Sequence, residues 1–275
     1  MNTILVPIDF SEKSENALNY AIALNKEIHA EIVLLGSYDR LLFVHSSPII
    51  DVPDIDLKNY VEEKVGKLVE ECKSRHPETN FRSVTMDGVS WTSILNDERI
   101  NDSDLIVVGV DRSNPITHFL TTGLSFNIIQ KAILPVLTVP PGAKYSGFKK
   151  IVFAANYGVD DYKNASDLIS FAKIFGSEIV LFHISDNNHE FDLNEFSTFA
   201  DHLSEESGFK NITTKIFEDR DIFHGLNSYI EESNADLLSI SMRNRSFYSK
   251  LFHPGLTKKM VYHSHIPTMI FHTGY

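Results

Sequence analysis

The chain has one cysteine, Cys72, and one tryptophan, Trp91, among its 275 residues. A lone thiol cannot form an intrachain disulfide, and it excludes thiolate-rich zinc sites. No segment approaches the roughly 18 apolar residues of a membrane span, so no membrane association is expected. The N-terminus runs straight into ILVPIDFS, without a basic segment and a long apolar one, so no secretory leader is expected. Basic residues are in deficit. Against 37 aspartates and glutamates stand 25 lysines and arginines, a net charge of −12. A field of that sign repels a phosphate backbone, which argues against general nucleic-acid binding. With 43% hydrophobic residues but only 13 glycines and 10 prolines, the chain is neither disordered nor fibrous. Its length suits two compact domains, and the expectation is a soluble cytoplasmic protein.

The sequence repeats itself. ILVPIDFS (4–11) resembles IVFAANYG (151–158), and AEIVLLGS (30–37) resembles SEIVLFHI (177–184), both at an offset of 147. SDLIVVGV (103–110) matches ADLLSISM (235–242), and LPVLTV (134–139) matches IPTMIF (266–271), both at 132. The change of offset puts 15 extra residues in the first copy after its second strand, with FVHSSPIIDVPDI (43–55) as the natural loop. The copies join near VPPGAKYSGFKK (139–150), with the boundary at about residue 145. The two domains are expected over 1–141 and 148–275.

Each copy opens with a run rich in Ile, Val and Leu, as a strand buried on both faces requires. In the first copy Ser11 offers an N-cap, and Ala17, Leu18, Ala21, Leu24 and Ile28 recur at helical spacing. Ala165, Leu168, Ile169 and Ala172 answer in the second. A later helix shows Val61, Val65, Leu68, Val69 and Cys72 on one face. Further strands are predicted near 31–36, 81–86 and 104–108, and near 178–184, 212–217 and 236–240, with helices between them. Alternating strands and helices predict an α/β fold: two tandem doubly wound five-stranded parallel sheets, Rossmann-like. Ligands of such sheets lie beyond the carboxyl ends of the strands where the strand order reverses, here between strands 1 and 4. The loops after Ile8 and Val108, and after Ala155 and Ile240, are therefore the ones to inspect.

ILVPIDFS, DLIVVG, KAILPVLTVP and HSHIPTMIF, in that order and duplicated, resemble the universal stress proteins in their tandem two-domain form. The resemblance covers nearly the whole chain. It implies a stress-response binding or signalling protein, with the two domains pairing through their fifth strands as an internal pseudo-dimer. It leaves a homodimer of whole chains open. Some members of that family bind ATP or AMP, through G-x2-G-x9-G-[ST] after strand 4, where bare glycine amides approach the phosphates. In the first copy that spacing runs Gly109, Arg112, Thr122, Gly123; in the second it runs Ser241, Asn244, Pro254, Gly255. Both loops are degraded, the second further. The acidic residue ending strand 1 is Asp9 in the first copy and Asn156 in the second, and the adenine-contacting backbone position falls at Ser37 and Ile184. The resemblance thus implies an adenine-nucleotide site in the first copy. Asp9 and Ser37 would face adenine and ribose, and Gly109, Arg112, Thr122, Gly123 and Leu124 the phosphates. Magnesium would enter only with ATP. Alternatively Gly109 and Gly123 serve a tight turn and a helix start, and the protein is a scaffold that acts through partners.

From Leu237 to Tyr275 there is no Asp or Glu, while Arg243, Arg245, Lys250, Lys258 and Lys259 fall there with four histidines. Arg243, Arg245 and Lys258 are candidates for holding a small anion through charge-assisted bonds. The alternative is that these bases face acidic helices or water. His263 and His265 form H-x-H, for which packing or hydrogen bonding is expected rather than a metal. Trp91 and Phe223, at equivalent positions, are read as core residues. There is no G-x4-G-K-[ST] and no G-x-S-x-G, and no catalytic residue is assigned.

Overall fold

Thr3–Ile8 (β1) is buried at all six positions, as the apolar run TILVPI demands of a strand covered on both faces. The computed structural model describes residues 1–38, 57–87, 99–100, 102–111, 128–129, 132–154, 159–185, 193–219, 221–243 and 254–273. After β1 come α1 (Glu12–Ile28), β2 (Glu31–Tyr38), α2 (Leu57–Arg75), β3 (Phe81–Asp87), β4 (Leu105–Gly109) and β5 (Val136–Val139). Then follow β6 (Lys150–Ala154), α3 (Val159–Phe175), β7 (Glu178–Ser185), α4 (Leu193–Ser207), β8 (Ile212–Glu218), α5 (Ile222–Ser233), β9 (Leu237–Arg243), α6 (Pro254–His263) and β10 (Thr268–Thr273). Contacts divide the chain into Met1–Lys144 and Tyr145–Tyr275.

In the first unit the strands lie in the order β3-β2-β1-β4-β5, and every neighbouring pair is parallel. In the second the order is β8-β7-β6-β9-β10, again parallel throughout. Both sheets reverse direction at their first strand, so each has a switch point between its first and fourth strands. Gly36 lets α2 settle on β2, since a Cβ there would lie 2.8 Å from both Val61 Cγ1 and Val65 Cγ2. Residue 183, its counterpart, is a half-buried histidine. The element bounds agree with extra residues in the first copy. The connection 39–56 is longer than 186–192, and α2 has 19 residues against 15 in α4. The loop 43–55 itself lies outside the described residues.

Local signals set the helices. Ser11 is extended (φ −85°, ψ 160°) and its Oγ accepts from Ser14 N at 3.4 Å, an N-cap that contributes about 1 kcal/mol. Glu12 and Glu15 favour the first turn and Lys26 the last, and His29 ends α1 in the left-handed region. Of the predicted apolar face, Ala17, Leu18, Ala21 and Leu24 are buried, while Ile28 is only half-buried because it sits in the final turn. On α2, Val61, Val65, Val69 and Cys72 are buried and Leu68 half-buried. No helix among the described residues is long and apolar enough to cross a membrane.

One device recurs at the amino end of both sheets. Asp104 Oδ2 accepts from Asn2 N (2.5 Å) and Thr3 N (3.0 Å), fixing the start of β1 beside β4. Asp236 Oδ2 does the same for Lys149 N (2.8 Å) and Lys150 N (2.9 Å) at β6. The second unit adds an aromatic anchor. Phe148, 1% exposed, lies 5.2–5.6 Å from the rings of Tyr145, Phe171 and Phe175. Phe148→Ala should therefore destabilise the second unit by about 3–5 kcal/mol, read as a lower urea midpoint for that unit's unfolding.

Candidate functional site

The carboxyl ends of β2, β1 and β4, adjacent in the sheet, bring Ser37, Asp9 and Gly109 to the switch point of the first unit. Ser37 is half-buried near the end of β2. Asp9 follows β1, and its Oδ1 accepts from Ser11 N (3.0 Å) and from the Ser11 hydroxyl. Lys13 Nζ stands 3.3 Å from Oδ2, one helical turn on. Burial pushes the Asp9 carboxyl upward and is the largest single influence. The Ser11 hydroxyl, the Lys13 ammonium and the Ser11 amide together outweigh it, so the pKa lies below the ordinary aspartate range. The carboxylate is thus held ionised and remains 36% exposed at the mouth of the crevice.

Gly109 has a packing reason to be bare. A Cβ there would lie 2.0 Å from the carbonyl oxygen of Lys13 and 2.5 Å from its carbon. Glycine at the end of β4 is what lets the first turn of α1 lie over the switch point, and Asn16 Nδ2 then reaches Pro140 O (3.1 Å) beyond β5. Three further residues shape this crevice that the sequence did not single out. Phe10 is left-handed (φ 59°) and 43% exposed, and Lys64 Nζ lies over its ring at 5.2 Å and over that of Tyr60 at 5.0 Å. The four-residue spacing of Asp9 and Lys13 could have revealed that ion pair. Nothing local in the sequence links Phe10 to α2.

In the second unit Ser241 stands where Gly109 does in the first, 1% exposed, and its Oγ accepts from Asn164 Nδ2 at 2.7 Å. Asn164 itself replaces Ala17 at the 147 offset, and Asp161, fully buried, replaces Ser14. A buried side-chain hydrogen bond therefore occupies the place where the first unit has bare backbone. Ile184, the counterpart of Ser37, is buried.

Of the expected phosphate contacts, Arg112, Thr122, Gly123 and Leu124 lie outside the described residues, as do Asn156 and Trp91. So does Arg245 of the proposed anion site; Arg243 ends β9 and Lys258 lies in α6. Within the acid-free stretch, Lys259 Nζ sits 4.1 Å above the ring of Phe223, whose edge also meets His263 at 5.9 Å. Phe223 is half-buried rather than a core residue. As the second residue of α5 it lies against α6, so the expectation of core packing is corrected. Its ring is a platform for a cation. His263 and His265 differ in surroundings, the first against Phe223 and the second lining a cavity with Glu231 and Ile266. At the edge of the sheet Asp219 Oδ2 stands 2.7 Å from His224 Nδ1, and this hydrogen bond and charge raise the His224 pKa.

The universal stress protein family model matches residues 1–140. The chain therefore belongs to the universal stress protein family, in a tandem form. The universal stress protein YxiE of Bacillus subtilis is 31% identical over 145 residues, which span 50% of this chain and 98% of the relative. The universal stress protein MJ0577 of Methanocaldococcus jannaschii is 25% identical over 150 residues, 50% of this chain and 93% of the relative. In fold, a universal stress protein from Archaeoglobus fulgidus superposes with a TM-score of 0.74 at 17% identity, covering 99% of this chain and 97% of that one.

Two outcomes follow from this geometry. Gly109→Ala should destabilise the first unit by about 2 kcal/mol or more, because α1 must move, whereas Ser241→Ala should cost the second only about 1–2 kcal/mol for a lost buried bond; urea titration of each variant checks the contrast. For His224, a pKa raised in the folded state means that the Asp219 pair contributes fully below the ordinary histidine value, near 6.5, and fades as pH rises through the elevated one. Histidine NMR titration should show a midpoint for His224 above 6.5 that Asp219→Asn lowers.

Proposed function

We propose that the first unit binds an adenine nucleotide, ATP or AMP, and that the second does not, making the chain a stress-response protein with one ligand-responsive half. It acts in the cytoplasm and takes magnesium only with ATP. The observation that carries this reading is the Asp9 carboxylate, kept ionised and partly exposed at the switch point beside bare Gly109. A ribose offers two hydroxyls to such a carboxylate, and charge-assisted bonds of this kind are about twice as strong as neutral ones. Nucleotide entry would exchange the Ser11 hydroxyl and Lys13 ammonium for those hydroxyls. Lys13 would then be released toward the phosphates, where the family resemblance would also put Arg112, Thr122, Gly123 and Leu124. In the second unit the corresponding positions are Asn156 and the hydrogen-bonded Ser241, so both the acid and the bare backbone are lost. No reaction is assigned to the bound nucleotide.

A second reading has its own support. Gly109 is already accounted for by the approach of α1, so its presence does not require a ligand. On that reading the chain is a scaffold that acts through protein partners. Protein purified from cells and then denatured separates the two. Released adenine nucleotide, or a thermal shift on adding millimolar ATP and magnesium, supports the first reading; neither supports the scaffold. If nucleotide binds, Asp9→Ala should weaken it by roughly 10- to 100-fold, read by calorimetry.

A further inference from the structure

At the opposite end of the second unit's sheet, where β9 and β10 begin, lies a cavity of about 390 Å³, within the size range of small-molecule sites. Its floor is apolar: Ile230 and Ala235 are buried, and Ile266 is half-buried. Its rim is polar, with Glu231, Asn234 and His265 exposed and Asn227 half-buried. Asn227 Nδ2 donates to Phe223 O at 2.9 Å, which leaves the carboxamide oxygen as the group's acceptor. The last turn of α5 ends here, with Asn234 left-handed and its N–H on the carbonyls of Ile230 and Glu231. The partial negative charge of that helix end and the Glu231 carboxylate have the same sign. No lysine or arginine lines the cavity among the described residues. Lys150 Nζ meets Ser233 O at 3.3 Å, but it is not part of the wall.

The corresponding positions of the first copy carry different side chains. At the 132 offset Glu231 corresponds to Arg99, Asn227 to Leu95, Ile230 to Glu98, Asn234 to Asp102 and His265 to Ile133, which is 55% exposed. The second copy thus has one acid, Glu231, over an apolar floor where the first has two acids and a base, and it has hydrogen-bonding side chains in place of Leu95 and Ile133.

We propose that this cavity binds a small alkylammonium ion, with its nitrogen between the Glu231 carboxylate and the Asn227 oxygen and its aliphatic stem on Ile230, Ala235 and Ile266. An anion would meet the carboxylate and the helix end. An uncharged apolar molecule would leave Glu231 without compensation. The site is independent of the nucleotide reading, since it lies in the other unit and at the other end of the strands.

Calorimetric titration of the full chain with n-butylamine, 1,4-diaminobutane, methylamine and n-butanol at neutral pH tests this. Saturable millimolar binding of the two longer amines is expected, with methylamine and n-butanol each weaker by about tenfold or more. Glu231→Arg and Glu231→Gln should each reduce amine binding by about tenfold or more, with thermal midpoints unchanged because the side chain is exposed. His265→Ile should weaken it less. Failure of the native chain to bind either amine saturably, equal binding of n-butanol, or amine binding indifferent to both Glu231 variants would each overturn the proposal. So would a response of the His265 resonances to zinc chloride without one to amines, which would make this a metal site.

Discussion

The approach of α1 to the end of β4 is the constraint from which the chemistry of the first crevice follows. The Lys13 carbonyl occupies the space that any side chain at position 109 would need. With glycine there, the first turn of α1 lies over the switch point, and three contacts become available together: the Ser11 cap, the Lys13–Asp9 ion pair and the Asn16 bond to Pro140. Ser241 changes that balance in the second unit. A Cβ essentially never sits within 3 Å of another heavy atom, so the backbone of α3 cannot lie as close, and a buried hydroxyl needs a partner. Asn164 supplies one where the first unit has alanine. A single difference at a strand end is thus matched by a second difference on the helix above it.

The architecture was legible because burial on both faces leaves a strong mark in sequence. The apolar runs at 4–8, 31–35 and 105–108 could only be covered strands, and duplication supplied each signal twice. The offsets of 147 and 132 reappear as the separations of β1 from β6 and of β4 from β9. The site was legible only in part. Asp9, Ser37 and Gly109 could be placed together because topology alone decides which strand ends meet. The packing role of Gly109 could not, since it depends on a helix 96 residues earlier in the chain. Phe223 was misjudged for a related reason. Its equivalence to Trp91 suggested a core, but position on a helix face against Lys259 and His263 decides exposure, and that face is set by tertiary packing.

The two ends of each sheet have diverged unequally between the copies, and the reason is physical. At the amino ends Asp104 and Asp236 each accept from two consecutive backbone amides at the start of the first strand of their unit. That demand is the same in every copy of the fold. At the carboxyl ends the demand is met differently in each copy: Gly109 leaves room for the Lys13 carbonyl, whereas Ser241 takes a hydrogen bond from Asn164, and the strands keep their order.

Electrostatics then assigns different ligands to different ends. In a doubly wound sheet the helices run antiparallel to the strands, so helix N-termini gather at the carboxyl ends and C-termini at the amino ends. An anion such as a phosphate is favoured beyond β1 and β4, where α1 begins and Lys13 stands. A cation is favoured beyond the start of β9 and β10, where α5 ends and Glu231 stands. The second crevice lacks the acid and the bare glycine on which the nucleotide proposal rests, and the proposed amine site of that unit lies at the opposite end of its sheet. Duplication permits this because each copy closes its own core. One unit can retain the anion-facing geometry while the other builds a site on the opposite pole.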